Sequence, residues 1–192
     1  TLRRKLVIAL AAVALVVGIG GAGTYAFWND RADVTSGSLR SGSMDLRVDE
    51  NAATNGLDQG YTKTSLTFEN WTPGEFVASP LTLRNVGDPP GTYTLQVLRG
   101  ASWTYGDDAV VVQAFTGSVV PDTTYPVQQG GSGTALGPAQ LMSAPGPFTL
   151  VTTPRALAAG AAETICVRVG LATAAGNANQ SKTGTVVLRA TL

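Results

Sequence analysis

Between Asp30 and Leu192 no window keeps an apolar stripe at helical spacing for more than two turns, while alternation with a period of two recurs throughout. Successive side chains of a strand point to opposite faces, so this pattern belongs to half-buried strands and excludes a helical bundle. "SMDLRVD" sets Met44, Leu46 and Val48 against Asp45, Arg47 and Asp49, and "GTYTLQVLRG" sets Tyr93, Leu95 and Val97 against Thr94 and Gln96. "SLTFEN", "SPLTLRNVG", "AVVVQAF", "PFTLVTT", "ETICVRVGL" and "TGTVVLRATL" bring the total to about eight strands. Many short strands separated by Gly, Pro, Asn and Asp predict an all-β, jelly-roll-like antiparallel β-sandwich. Pro80 has no N–H for a ladder, so it predicts a strand start or a sheet edge.

The turns have their own chemistry. In "WTPGEF", Pro73 fixes φ at the second position of a type II turn and Gly74 accepts the positive φ of the third. Residues 117–147 are rich in Gly, Pro, Ser and Thr, with "AQLM" as a short helical turn. A stretch of that length reads as an exposed insertion in one domain rather than a linker, because the strands on either side are too few for two cores. "ALAAGAAE" reads as a turn that leads into "TICVRVGL".

The amino end differs in kind. Arg3, Arg4 and Lys5 precede an apolar run from Leu6 to Gly23, and small residues, Thr24 and Ala26, stand at the −3 and −1 places of a cleavage site before Phe27. The run reaches the lower end of bilayer-spanning length, but "GIGGAG" is poor helix and no basic residue follows to stop transfer. The expectation is a signal peptide over residues 1–26, removed on export, and a single domain over residues 27–192. The product is then secreted or extracellular, at the cell surface or in a surrounding matrix.

Composition narrows the chemistry. The chain has 13 basic and 13 acidic residues and no histidine. With Arg3, Arg4 and Lys5 set aside, the body from Phe27 on is mildly acidic, without a basic stripe, and nucleic acid is not an expected partner. Without histidine, neither a His-Glu-x-x-His zinc site nor a Ser-His-acid triad can be written. Lys63 and Lys182 stand in no serine–lysine motif, and the Gly-rich stretches lack the Lys-Ser/Thr of a phosphate loop. Asp49–Glu50 and Asp107–Asp108 read as solvated turns, since neighbouring residues on a strand face opposite ways. Calcium spacing is not met at "YGDDA" or at Asp30 and Asp33. The single cysteine, Cys166, reads as a small strand residue, because a nucleophilic thiol wants a neighbouring base. No catalytic residue, metal or cofactor is expected, and the chain reads as a non-enzyme.

Three stretches together resemble the TasA/CalY (camelysin-like) family of exported bacterial proteins. "GTYAFWNDRADVTSGSLRSGSMDLRVDEN" is similar to that family's signal junction and first strand, at Thr24, Ala26, Trp28, Asp30, Gly42, Ser43, Asp45 and Leu46. "WTPGEFVASPLTLRNVGDPPGTYTL" resembles its Pro-Gly-acid turn and Asn-x-Gly strand end, at Pro73, Gly74, Glu75, Asn85 and Gly87. "GNANQSKTGTVVLRATL" resembles its closing Asn-x-x-Gln loop, at Asn177 and Gln180, with Ser181 where the family often has glycine. The resemblance implies processing by a SipW-class signal peptidase, a jelly-roll-like sandwich and, for some members, polymerisation into biofilm-matrix fibres through an exchanged amino-terminal strand. Camelysin relatives have also been described as surface metalloproteases, a label from which a chain without histidine departs.

The expected function is therefore a secreted structural protein that self-assembles as a homopolymer. The donor segment begins at Phe27, Trp28, Asn29 and Asp30, the alternative being that Phe27 and Trp28 tuck into their own domain as a first half-strand. An accessory matrix or anchoring protein is a further candidate partner. Two rivals remain: a monomeric binding module that uses the 117–147 loop, and, least favoured, a camelysin-type surface protease.

Overall fold

The computed structural model describes residues 2–10, 43–49, 66 and 71–192. Two compact units divide the chain, residues 1–40 and 41–192. In the first, residues 2–10 are helical and exposed. Among the described residues no helix is long and apolar enough to cross a membrane.

The second unit is all β and antiparallel throughout its named strands. One five-stranded sheet runs in the order β1 (Leu46–Val48), β2 (Phe76–Asn85), β10 (Ala162–Leu171), β4 (Val110–Thr116), β7 (Gln140–Leu141). A second sheet runs β11 (Val186–Thr191), β3 (Gly91–Arg99), β8 (Phe148–Thr149), with β9 (Arg155–Leu157) also paired to β3. β5 (Val119–Val120) and β6 (Gly130–Gly131) form a small ribbon. The alternation read from sequence becomes register: Ile165, Val167 and Val169 of β10 face inward, and Cys166 and Arg168 face outward.

One core joins the two sheets. Leu81 and Leu83 of β2, Val112 and Ala114 of β4, and Ile165 and Val167 of β10 pack in one cluster with Tyr93, Leu95 and Val97 of β3. Each large aliphatic side chain buried there contributes about 1.5–3 kcal/mol. Tyr93 carries a hydroxyl into this core and must find a partner for it. It donates to Glu163 Oε2 of β10 at 2.9 Å, and Glu163 accepts Arg155 Nε of β9 at 2.8 Å. The two sheets are thus tied by a charged, hydrogen-bonded link. Burial, reinforced by the Glu163 carboxylate, raises the Tyr93 pKa above its ordinary value.

Several elements depart from the sequence-based expectations. "AQLM" is not a helical turn: Gln140 and Leu141 pair with Val112 and Val111, and Met142 is fully buried. "PFTLVTT" yields only the two-residue β8, after which Leu150 and Val151 turn into the core. The strand β9 just before and within "ALAAGAAE" was not anticipated. "SLTFEN" falls outside the described residues except for Leu66.

Most of the 117–147 segment is exposed, yet it is stitched to the body. Ala135 bridges Phe115, Gln128 bridges Phe76, and β6 lies against the outer face of β10 and β4. Gly131 is required there, because a Cβ would run into the Phe115 side chain and press on Cys166. Cys166 is consequently a buried thiol, and burial raises its pKa against the weaker opposing influence of Arg168.

Candidate assembly surface

The expected motif residues are brought to the turns that position β1 and β2. Thr72–Glu75 form the type II turn: Glu75 N donates to Thr72 O at 3.1 Å and Gly74 has φ +92°. Glu75 is only 5% exposed. Its Oε2 accepts Thr72 N at 2.7 Å and the Thr72 hydroxyl at 3.0 Å, and its Oε1 accepts Val127 N at 3.4 Å. The Thr72 N–H is the main reason its pKa lies below the ordinary value, with burial opposing.

Asn85 and Gly87 form a second anchor. Asn85 is fully buried; its Oδ1 accepts Gly87 N at 2.9 Å, and its Nδ2 donates to Pro89 O at 2.9 Å and Leu157 O at 3.2 Å. Gly87 lacks a side chain because the chain entering β1 occupies that space, so a Cβ would collide with Ser43 O. The same entry is gripped by Asp88, whose N–H donates to Ser43 O at 2.9 Å and whose Oδ2 accepts Ser43 N at 3.2 Å. Val86 N donates to Asp45 O at 2.9 Å. An Asn-x-Gly pair at the end of β2 therefore fixes where the amino-terminal part of the chain joins the sandwich.

At the third motif, Asn177 and Gln180 bracket a 3-10 turn, with Gln180 N donating to Asn177 O at 3.1 Å, and both are exposed. The residue that turns inward is Asn179. Its Oδ1 accepts Gly106 N at 2.8 Å and its Nδ2 donates to Gly176 O at 3.3 Å. Nothing in "GNANQ" distinguishes which amide will be buried; the 3-10 turn decides it.

Two outer edges differ in how they are finished. On β2, the amides of Phe76 and Ala78 donate to Val127 O at 2.8 Å and Gln129 Oε1 at 3.0 Å. Thr82 exchanges bonds with Asp49, through N to Oδ1 at 2.8 Å and O from N at 2.8 Å. Pro80 lies between them, mid-strand, where its missing N–H faces this outer side, so the edge reading of Pro80 holds and the strand-start reading does not. β11 is different. It ends its sheet, and among the described residues only β3 pairs with it. Val186, Leu188, Ala190 and Leu192 pack on the core but remain only partly buried, and Val187 is 45% exposed. An edge of this kind presents a row of unmet N–H and C=O groups beside apolar surface.

The processing residues Thr24, Ala26 and Phe27, and the donor residues Phe27, Trp28, Asn29 and Asp30, lie outside the described residues.

Residues 1–89 match the family described as camelysin metallo-endopeptidase. Over this stretch the chain is camelysin-like. A search of curated proteins finds no match. The matched region covers the apolar amino end, the entry to β1, the Pro73–Glu75 turn and the Asn85–Gly87 anchor, and so reaches two of the three stretches on which the resemblance rested.

The family's description implies a metal, and among the described residues the donor set does not fit one. The chain has no histidine, and its one thiol is buried beneath Gly131. Among the described residues no three His, Cys, Asp or Glu side chains gather closely enough to hold an ion. Asp107, one of the paired carboxylates, forms an ion pair with Arg99 at 2.6 Å.

Proposed function

We propose that the protein is a secreted, non-enzymatic structural protein whose copies join head to tail into cell-surface or matrix fibres. On export, a signal peptidase of the SipW class cleaves before Phe27. The freed segment 27–36 of one copy then adds as a strand to another. The observation that carries this reading is the finish of β11: an edge strand of six residues, without a described partner on its far side, whose inward apolar row is only partly covered.

The chemistry of the two parts is complementary. "FWNDRADVTS" supplies two aromatic rings for apolar surface, extended polar residues for main-chain pairing, and Asp30 and Asp33 for an edge that carries exposed Arg189. β2 is a poorer acceptor, because residues 127–129, Asp49 and Pro80 already finish its outer side. Head-to-tail addition does not close on itself, so it produces filaments rather than dimers. The family matched over residues 1–89 is described as a metallo-endopeptidase, which names proteolysis rather than fibres. The absence of histidine weighs against the protease reading.

Negative-stain microscopy of purified chain beginning at Phe27 tests this. Filaments are expected, and deletion of residues 27–36 should leave monodisperse particles. Filaments of undiminished length from the deletion would sink the reading.

A further inference from the structure

Residues 122–129 cross the outer side of β2 in an unusual way. They add only a few main-chain bonds: Val127 O accepts Phe76 N, Gln129 N donates to Phe76 O at 3.1 Å, and Gln129 Oε1 takes Ala78 N. The rest of the attachment runs through two carboxylates. Asp122 Oδ1 accepts Thr124 N at 2.9 Å and its Oδ2 accepts Gln128 N at 2.8 Å, which folds the segment on itself. Glu75 binds Val127 N from the turn before β2. Every one of these carboxylate oxygens faces a donor. A protonated carboxyl would turn an O–H toward an N–H, so the arrangement requires the anions.

We propose that residues 122–129 form an acid-released strap: with Glu75 and Asp122 ionised it closes the outer edge of β2, and their protonation uncovers the amides of Phe76 and Ala78. The groups around the two carboxylates are named by the contacts. Glu75 meets the N–H and hydroxyl of Thr72, which also reaches the Tyr125 hydroxyl at 3.3 Å, and Val127 N. Asp122 meets Thr124 and Gln128, while Gln129 Nε2 donates to the Asp122 carbonyl at 3.4 Å. On the sheet below, next to the strap, Cys166 lies beneath Gly131 and Arg168 approaches Gly130. The Arg168 guanidinium stacks on Phe76 and Phe115 at 4.7 and 5.1 Å and donates to Gln113 at 2.8 Å.

Both carboxylates are held below their ordinary pKa, each chiefly by a backbone N–H: Thr72 for Glu75 and Thr124 for Asp122. A depressed carboxylate stabilises the closed strap fully above its unfolded pKa and stops doing so as pH falls through the lowered value. Release therefore belongs below about pH 4, and no part of it depends on assembly.

Amide hydrogen exchange followed by NMR on the full chain tests the strap directly. Protection factors of Phe76 and Ala78, followed as the pH is stepped down from 7 to 2, should fall at least about tenfold relative to β10 amides. The Glu75→Gln/Asp122→Asn double variant should show that loss already at pH 7. Should that variant unfold, Asp122→Asn alone, at a site remote from the core, must lower the same two protection factors several-fold with β10 unchanged. Neutral-pH protection equal to wild type in a folded variant overturns the proposal. So does a wild-type loss at low pH that β10 shares in full, or no loss down to pH 2.

Discussion

Ser181 adopts φ +57°, in the left-handed region where a side chain is costly. The turn that follows Asn179 therefore has a backbone conformation that glycine meets at lower cost. Ser181→Gly should raise stability by about 0.5–1 kcal/mol, read as an increased urea midpoint at unchanged slope. Asn85 makes the opposite case. Asn85→Ala leaves Gly87 N, Pro89 O and Leu157 O without their buried partner, and should cost about 2–3 kcal/mol in the same experiment. Sequence made the Asn-x-Gly pair visible as a turn, but not its purpose. That Gly87 must make room for Ser43 depends on a contact between residues far apart in the chain. Asn179 was hidden for the same reason, since its partner at Gly106 lies in another loop.

Long strands were legible and short ones were not. β3, β4 and β11 alternate because one face of each meets the core and the other is less covered, whereas β10 is buried on both faces around Cys166, which lies beneath Gly131. β5, β6 and β7 are two residues each, too short for alternation to register, and in β6 it is Gly131 that comes too close to Phe115 for a side chain. Pro80 was the more informative single residue, because an absent N–H can only be tolerated on an outer side. The contrast between a finished β2 and an unfinished β11 yields an element-scale prediction. Ala190→Lys puts a charge on the inward row of β11, where Ala190 is half-buried, a device that blocks strand addition. The variant should remain a folded monomer by circular dichroism while filament mass, measured by pelleting, falls at least about tenfold.

Across the molecule, the link from Tyr93 through Glu163 to Arg155 joins the sheets where apolar packing alone would leave the phenol unsatisfied. A Tyr pKa raised in the folded state means the native protein holds its proton longer than the unfolded chain. Its contribution is complete below the unfolded value near 10 and drains as pH rises above it. Wild type should therefore lose stability between pH 10 and 11 more steeply than Tyr93→Phe, a difference readable in parallel urea titrations. That link and the common core make the 41–192 unit a self-contained body, against which an added strand at β11 would be an extension rather than a repair. Whether the added strand comes from a neighbour is read most directly by mixing two singly substituted copies, Asn29→Cys and Val187→Cys, under mild oxidation. Each lacks the other's cysteine and Cys166 is buried, so a disulfide between positions 29 and 187 must join two chains. A mixed dimer that carries this disulfide, confirmed by mass spectrometry, is the predicted result; filaments that form without it would contradict addition at β11.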